Sequence, residues 1–171
     1  MTQKSIFRVC ILYPADPLGA VPGGIDTFVR GMLRWAPDDM EFSLLGATTD
    51  IVERPIQAWT TCRIGDSSFR FYPVMELIDP GKQKRIPTSL TFTLALARSR
   101  EPSDADLLVF HGIEPVLAFV RDRRPKSAVI HQDMQILRNQ SADIRWRYIP
   151  RLYFALERLM MPLLQSIFCV R

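Results

Sequence analysis

The chain has 171 residues, 47% of them apolar and 23% charged, which suits one globular domain, residues 1–171, with a core of its own and excludes a disordered polymer. Its net charge of +4 is too modest to mark a nucleic-acid partner, and no stretch reaches the roughly 18 apolar residues of a membrane-spanning helix. Three cysteines (Cys10, Cys62 and Cys169) stand singly in apolar surroundings, without metal-ligand spacing, and read as buried thiols of a reducing compartment. Lys4 and Arg8 precede no long apolar run, so no secretory leader is visible and a cytoplasmic protein is expected.

Phe7 to Leu12 is a continuous apolar run, as in a strand buried on both faces. A long proline-containing loop follows from Tyr13 and closes on Gly23-Gly24. Beyond it Ile25, Phe28, Val29, Met32 and Leu33 share one helical face, and the helix stops near Pro37. Adjacent glycines permit positive φ and let a ligand come close to the backbone. The helix start beside them presents unpaired N–H groups and a positive dipole end, suited to a phosphate or a carboxylate. A flexible turn between strand and helix explains the same glycines. Neither Gly-x-Gly-x-x-Gly nor Gly-Lys-Ser/Thr is present, which argues against a dinucleotide fingerprint and a Walker loop.

Glu41 to Gly46 reads as a second strand, and residues 47–58 as polar and irregular. Two β-rich runs around Gly65-Asp66-Ser67 predict a hairpin over 59–74. Residues 77–88 form a polar loop whose Lys82–Arg85 cluster reads as solvated. Ser89 to Arg100 predicts a helix with Leu90, Leu94 and Ala97 on its stripe. Asp106 to Phe110 is a strand ending in His111-Gly112, and Glu114 to Arg123 a helix. Ser127 to Ile130 is a buried strand ending in His131-Gln132-Asp133, and 134–147 is polar. Pro150 opens a helix with Leu152, Leu156, Leu159, Met160 and Leu163 as its apolar stripe, which Pro162 ends or kinks. Ser166 to Val170 is the last strand. Apolar strands alternating with helices predict an α/β, Rossmann-like, doubly wound, mostly parallel sheet.

The only two histidines each follow a buried strand, and the Gly23-Gly24 loop leaves a third. In an open parallel sheet the carboxyl ends of the strands form the ligand crevice, so the three segments converge there. An imidazole can hydrogen-bond a sugar hydroxyl or a phosphate oxygen. Each histidine alone also fits a structural role. Asp133 reads either as a group that orients an acceptor hydroxyl or as the N-cap of the next helix.

The Gly23-Gly24 loop, strand–His111-Gly112, strand–His131-Gln132-Asp133, and the helix around Glu157-Arg158-Leu159 before Ser166–Val170 together resemble the N-terminal domain of a GT-B fold, family 4-like, retaining glycosyltransferase. The resemblance implies a sugar moved from a nucleotide-sugar donor to a glycan or lipid-linked acceptor, as in polysaccharide biosynthesis. It places Gly23 and Gly24 near the donor diphosphate and the acceptor, and His111, as the catalytic residue, near the transferred sugar. His131 and Asp133 would contact substrate, and neither a metal nor a cofactor is implied. The family's second Rossmann-like domain grips the donor and carries a glutamate pair. Nothing here matches it, so the expectation is an acceptor-side domain without the donor-binding one. The alternatives are a non-catalytic flavodoxin-like binding module or another nucleotide-utilising α/β enzyme domain.

Residues 119–171 hold ten Lys/Arg against four Asp/Glu. Arg138, Arg145, Arg147, Arg151 and Arg158 interleave there with Trp146, Tyr148, Tyr153 and Phe154. The pattern suits peripheral contact with an anionic inner membrane face, or an ordinary solvated face whose Arg stems cover apolar surface.

Overall fold

The computed structural model describes residues 6–19, 23–78, 86–99, 104–131 and 150–170. Phe7–Leu12 forms β1, whose apolar last four residues are all buried, while Phe7 and Arg8 at its start are exposed and Arg8 pairs with Asp104 at 3.2 Å. The other strands are β2 (Met40–Thr48), β3 (Thr60–Ile64), β4 (Ser67–Glu76), β5 (Leu107–His111), β6 (Lys126–Ile130) and β7 (Ser166–Cys169). They form one seven-stranded sheet in the order β3-β4-β2-β1-β5-β6-β7. Every pairing is parallel except β3–β4, which is the expected hairpin, turning at Gly65 with φ 61°. The fold is therefore α/β and Rossmann-like, with a mostly parallel sheet.

Among the described residues three α-helices accompany the sheet: α1 (Gly24–Arg34), α2 (Thr88–Ser99) and α3 (Pro150–Met160). Because side chains alternate across a strand, Val9, Ile11, Val109 and Val129 face Val29 and Leu33 of α1. Cys10, Leu12, Leu108, Phe110 and Ala128 face the opposite way, onto Phe92 and Leu96 of α2 and Tyr153 and Met160 of α3. The chain runs outward from β1 to β2, then returns to β1's other side as β5. That reversal makes a topological switch point at the carboxyl ends of β1 and β5.

Several expectations are corrected. The α2 stripe of Leu90, Leu94 and Ala97 is not the buried one: Phe92, Thr93 and Leu96 are buried, and Leu94 is 50% exposed. Burying the Phe92 ring removes more apolar surface from water than burying a leucine. In α3 the buried residues are Tyr153 and Met160, seven apart, while Leu152 and Leu159 stay exposed. Only Glu114–Phe119 of the segment 114–123 is helical, and it is a 3-10 helix opened by Pro115. Strand β2 runs past Gly46 to Thr48 through a register shift, so the irregular segment begins later than expected. Cys10 and Cys62 are buried, but Cys169 is exposed, because β7 is covered on neither face along most of its length.

Candidate active site

The register pairs Leu12 with Phe110 and His111 with Val129. Tyr13 therefore follows β1 beside His111, and His131 lies two residues beyond the partner of His111. All three share the parity of Ile11, Val109 and Val129, so they stand on the sheet face toward α1. The rings of Tyr13 and His111 are 5.7 Å apart, and those of His111 and His131 are stacked at 5.0 Å with a 17° interplanar angle. Phe28 reaches down from α1, 5.7 Å from His111 and edge-on to His131 at 5.2 Å. Phe28 as a residue is 39% exposed. The switch point is thus lined by four rings, the two histidines in the middle.

The expectation that His111 lies just past its strand is corrected. It is the last residue of β5 and only 5% exposed. Gly112 behind it has φ 119°, a conformation that glycine alone adopts without strain, and this turns the chain off the sheet. His111 Nδ1 lies 2.8 Å from His131 Nε2, a hydrogen bond in which either ring can donate. His111 Nε2 is buried, with no partner among the described residues. Burial, and then the neighbouring His131, depress the His111 pKa to about 4. Burial also lowers that of His131. Burial and the Asp26 carboxylate push the Tyr13 phenol well above its usual range, so Tyr13 keeps its proton and can donate it in a hydrogen bond.

Gly23 is the N-cap of α1, with φ −87°, and Gly24 is the first helical residue. The positive φ that glycine permits is adopted by neither residue. Gly23 is needed for another reason: a Cβ there would lie 2.7 Å from Asp26 Oδ2, which accepts the Gly23 N–H at 2.9 Å. The chain's own carboxylate thus meets part of the helix dipole, as in half of a capping box. At Gly24 a Cβ would meet nothing within 4 Å, so the helix start stays open on that side.

The loop after β1 is clamped from below. Asp16 accepts hydrogen bonds from the Thr49 N–H at 2.8 Å, the Thr49 hydroxyl at 2.6 Å and the Leu18 N–H at 3.0 Å, and is paired with Arg54 at 3.0 Å. Burial works against its ionisation, but these partners outweigh burial and hold its pKa below the ordinary value. Arg30 of α1 donates to the Gly19 carbonyl, tying loop to helix. Gly46 lets the loop pass: a Cβ there would lie 2.6 Å from the Ala15 carbonyl oxygen. Beneath Gly112, buried Glu114 accepts a hydrogen bond from the Ser89 hydroxyl at 3.0 Å.

Of the residues named from sequence, the structure brings His111 and His131 into contact and sets Gly23 and Gly24 at the start of the helix that carries Phe28. Asp133 lies outside the described residues, as do Gln132, the Lys82–Arg85 cluster, Arg138, Arg145, Trp146, Arg147 and Tyr148. Sequence reasoning missed Asp16, Asp26, Arg30, Arg54 and Glu114. Only Asp26 carried a local signal, its three-residue spacing from Gly23. Among the described residues no His/Cys/Asp/Glu group is arranged to hold a metal ion, and no helix is long and apolar enough to cross a membrane.

No protein-family model matches the chain, and no curated protein sequence matches it. Among solved structures, sucrose-phosphate synthase from Thermosynechococcus elongatus superposes with a TM-score of 0.61 at 12% identity, over 94% of this chain and 41% of that one. The chain therefore spans about two fifths of that protein's length. An SsGBP variant covers 97% of this chain and 49% of its own at 11% identity, with a TM-score of 0.34, too low to carry an argument. At such identities likeness shows the fold alone, and that fold is glycosyltransferase-like.

Proposed function

We propose that this chain is the acceptor-side domain of a glycosyltransferase, moving a sugar from a nucleotide-sugar donor to a glycan or lipid-linked acceptor, and of the retaining, family 4-like kind. The observation that supports this best is the row Tyr13, His111, His131 at the switch point of a glycosyltransferase-like sheet, lined by the part-exposed ring of Phe28. Phe28 offers an apolar surface to a sugar ring, Tyr13 a hydroxyl donor, and His111 Nε2 a group that either donates to or accepts from a sugar hydroxyl. The open side of Gly24, with helix-start N–H groups that lack intrahelical partners, suits the donor diphosphate. A second domain would hold the rest of the nucleotide.

The test is a calorimetric and NMR titration of the 171-residue chain with short glycans and with UDP- and GDP-sugars. Glycans should shift signals of Phe28 and His111, and nucleotide sugars should bind weakly or not at all. Micromolar nucleotide-sugar binding, with glycans silent, would overturn this division of labour.

A cytoplasmic location with a peripheral contact at an anionic membrane face belongs to the same reading. On α3, Arg151 and Arg158 are exposed together with Leu152 and Leu159. Each cation near such a surface contributes about 1 kcal/mol.

A further inference from the structure

Helix α3 carries apolar residues on two faces. Tyr153 and Met160 are buried in the core. Arg151, Phe154, Ala155, Arg158 and Leu159 follow the spacing i, i+3, i+4, i+7, i+8 and share another face. Together with Glu157 and Met161 they line an open, mainly apolar groove of about 910 Å3. That volume lies within the range of small-molecule sites, roughly 300–1,000 Å3. Ala155 is exposed and stands one turn from Arg151 on one side and one turn from Leu159 on the other. Its single methyl keeps the floor of the groove low between longer side chains.

The charges are arranged about that floor. Arg151 and Arg158 are both exposed, and neither has an ion-pair partner among the described residues. Seven residues apart, they are separated by about 10 Å along the helix axis. Glu157 is the one acidic residue of the lining; burial disfavours its ionisation, and even when charged it leaves the arginines in excess. Leu159 is 63% exposed and Leu152, next to Arg151 in the chain, 47%. Holding such side chains in water is unfavourable, and an apolar ligand would relieve it.

We propose that this groove binds one anionic phospholipid of a membrane surface, with its acyl chains on Phe154, Ala155, Leu159 and Met161 and its phosphate between Arg151 and Arg158. This deepens the membrane contact proposed above and rests on it: the contact becomes a site of fixed stoichiometry rather than adsorption by net charge. An apolar floor offers nothing to the hydroxyls of a soluble sugar phosphate, and two unpaired cations offer nothing to a neutral amphiphile. A molecule with both an anionic head and a hydrocarbon chain satisfies both. A depression made by one alanine admits methylenes, whereas a docking helix, about 10 Å across with its side chains, would first meet the leucines and arginines around it.

The test uses the 171-residue chain and dihexanoyl-phosphatidylglycerol below its micelle concentration, followed by calorimetry and by NMR of the Ala155 and Leu159 methyl groups. One lipid should bind per chain and shift both signals. Glycerol phosphate has the charge without the chains, and dihexanoyl-phosphatidylcholine has the chains with a neutral head; each should bind more weakly by about tenfold or more. A methylene taken out of water contributes about fourfold to affinity, so Ala155→Trp, which fills the floor and keeps both arginines, should weaken the lipid by about tenfold or more. Arg151→Gln with Arg158→Gln should do the same, and since all three positions are exposed the variants should melt like the parent. The site is refuted if the lipid does not saturate at one per chain, if either control binds as well as phosphatidylglycerol, or if Ala155→Trp binds like the parent. Self-association of the chain that Ala155→Trp abolishes would make the groove an interface between copies and equally overturn it. Anionic vesicles that retain the chain while the soluble lipid fails would leave the membrane contact standing and remove the groove alone; the glycan titration decides the acceptor reading separately.

Discussion

Replacing His111 by Asn should make the protein less sensitive to acid. An unfolded imidazole titrates at its ordinary 6.5, whereas folded His111 titrates at about 4. Between those values the unfolded chain binds a proton that the folded chain refuses, so acid favours unfolding. The stability linked to His111 is complete above pH 6.5 and is lost as the pH falls toward 4. The slope approaches about 1.4 kcal/mol per pH unit, and the loss over the window is about 3 kcal/mol. His131, lowered in the same direction, adds to the loss, whereas Glu157, raised by burial, works against it. Asn retains an amide able to bond His131 Nε2, and Glu157 is common to both proteins. The difference between their pH profiles therefore isolates His111. Urea unfolding of both proteins at a series of pH values measures it. Parallel profiles between pH 6.5 and 4 would show that His111 is not held neutral by burial.

Gly24→Val places its methyls in the open space at the start of α1, so stability should change by no more than about 1 kcal/mol, and on the proposed glycosyltransferase reading sugar transfer should be abolished; wild-type turnover would remove the loop from that reading. Asp16→Ala leaves Arg54 89% buried without its carboxylate, which should cost about 3–5 kcal/mol in denaturant unfolding, and a loss below 1 kcal/mol would mean the clamp is weak. Gly46→Ala drives a Cβ against the Ala15 carbonyl and should lower stability by about 1–3 kcal/mol, checked by thermal melting. Anionic vesicles should retain the protein at low salt, and Arg151→Glu with Arg158→Glu should release it; an unmodified chain that ignores such vesicles would rule out the membrane contact.

Strand order aside, the sheet could be read from sequence where the pattern admitted one solution. The apolar run Phe7–Leu12 and the two runs around Gly65 had no competing period, and both took the expected form. The histidines were found because a parallel sheet gathers the carboxyl ends of its strands on one edge. Their contact was not, because it depends on β5 lying beside β6 in the register that sets His111 against Val129, which no local pattern reveals. The buried faces of α2 and α3 were misjudged, since helices with so many apolar residues satisfy more than one phase of the 3.6 period. The Asp16 clamp left no trace at all: its partners Thr49 and Arg54 are 33 and 38 residues away, and no spacing rule links them. Gly23 and Gly24 were noticed both for a permitted positive φ, which neither adopts, and for a helix start that a ligand can approach, which the open side of Gly24 retains. What matters at Gly23 is the carboxylate of Asp26, hinted at only by its three-residue spacing, and at Gly24 the empty volume, which is not visible before side chains are placed.

Cys169 makes the molecule simple to instrument. Of its three thiols, two are buried, and the third lies exposed on β7 directly beside Ile130, one residue before His131. A maleimide spin label or fluorophore applied to the native fold would therefore attach at one place without any cysteine being engineered away. That place is the carboxyl edge of the sheet, one strand over from the histidine pair. Its signal would sense a sugar, a partner domain or a lipid surface arriving at the crevice, and the native sequence already provides the attachment point.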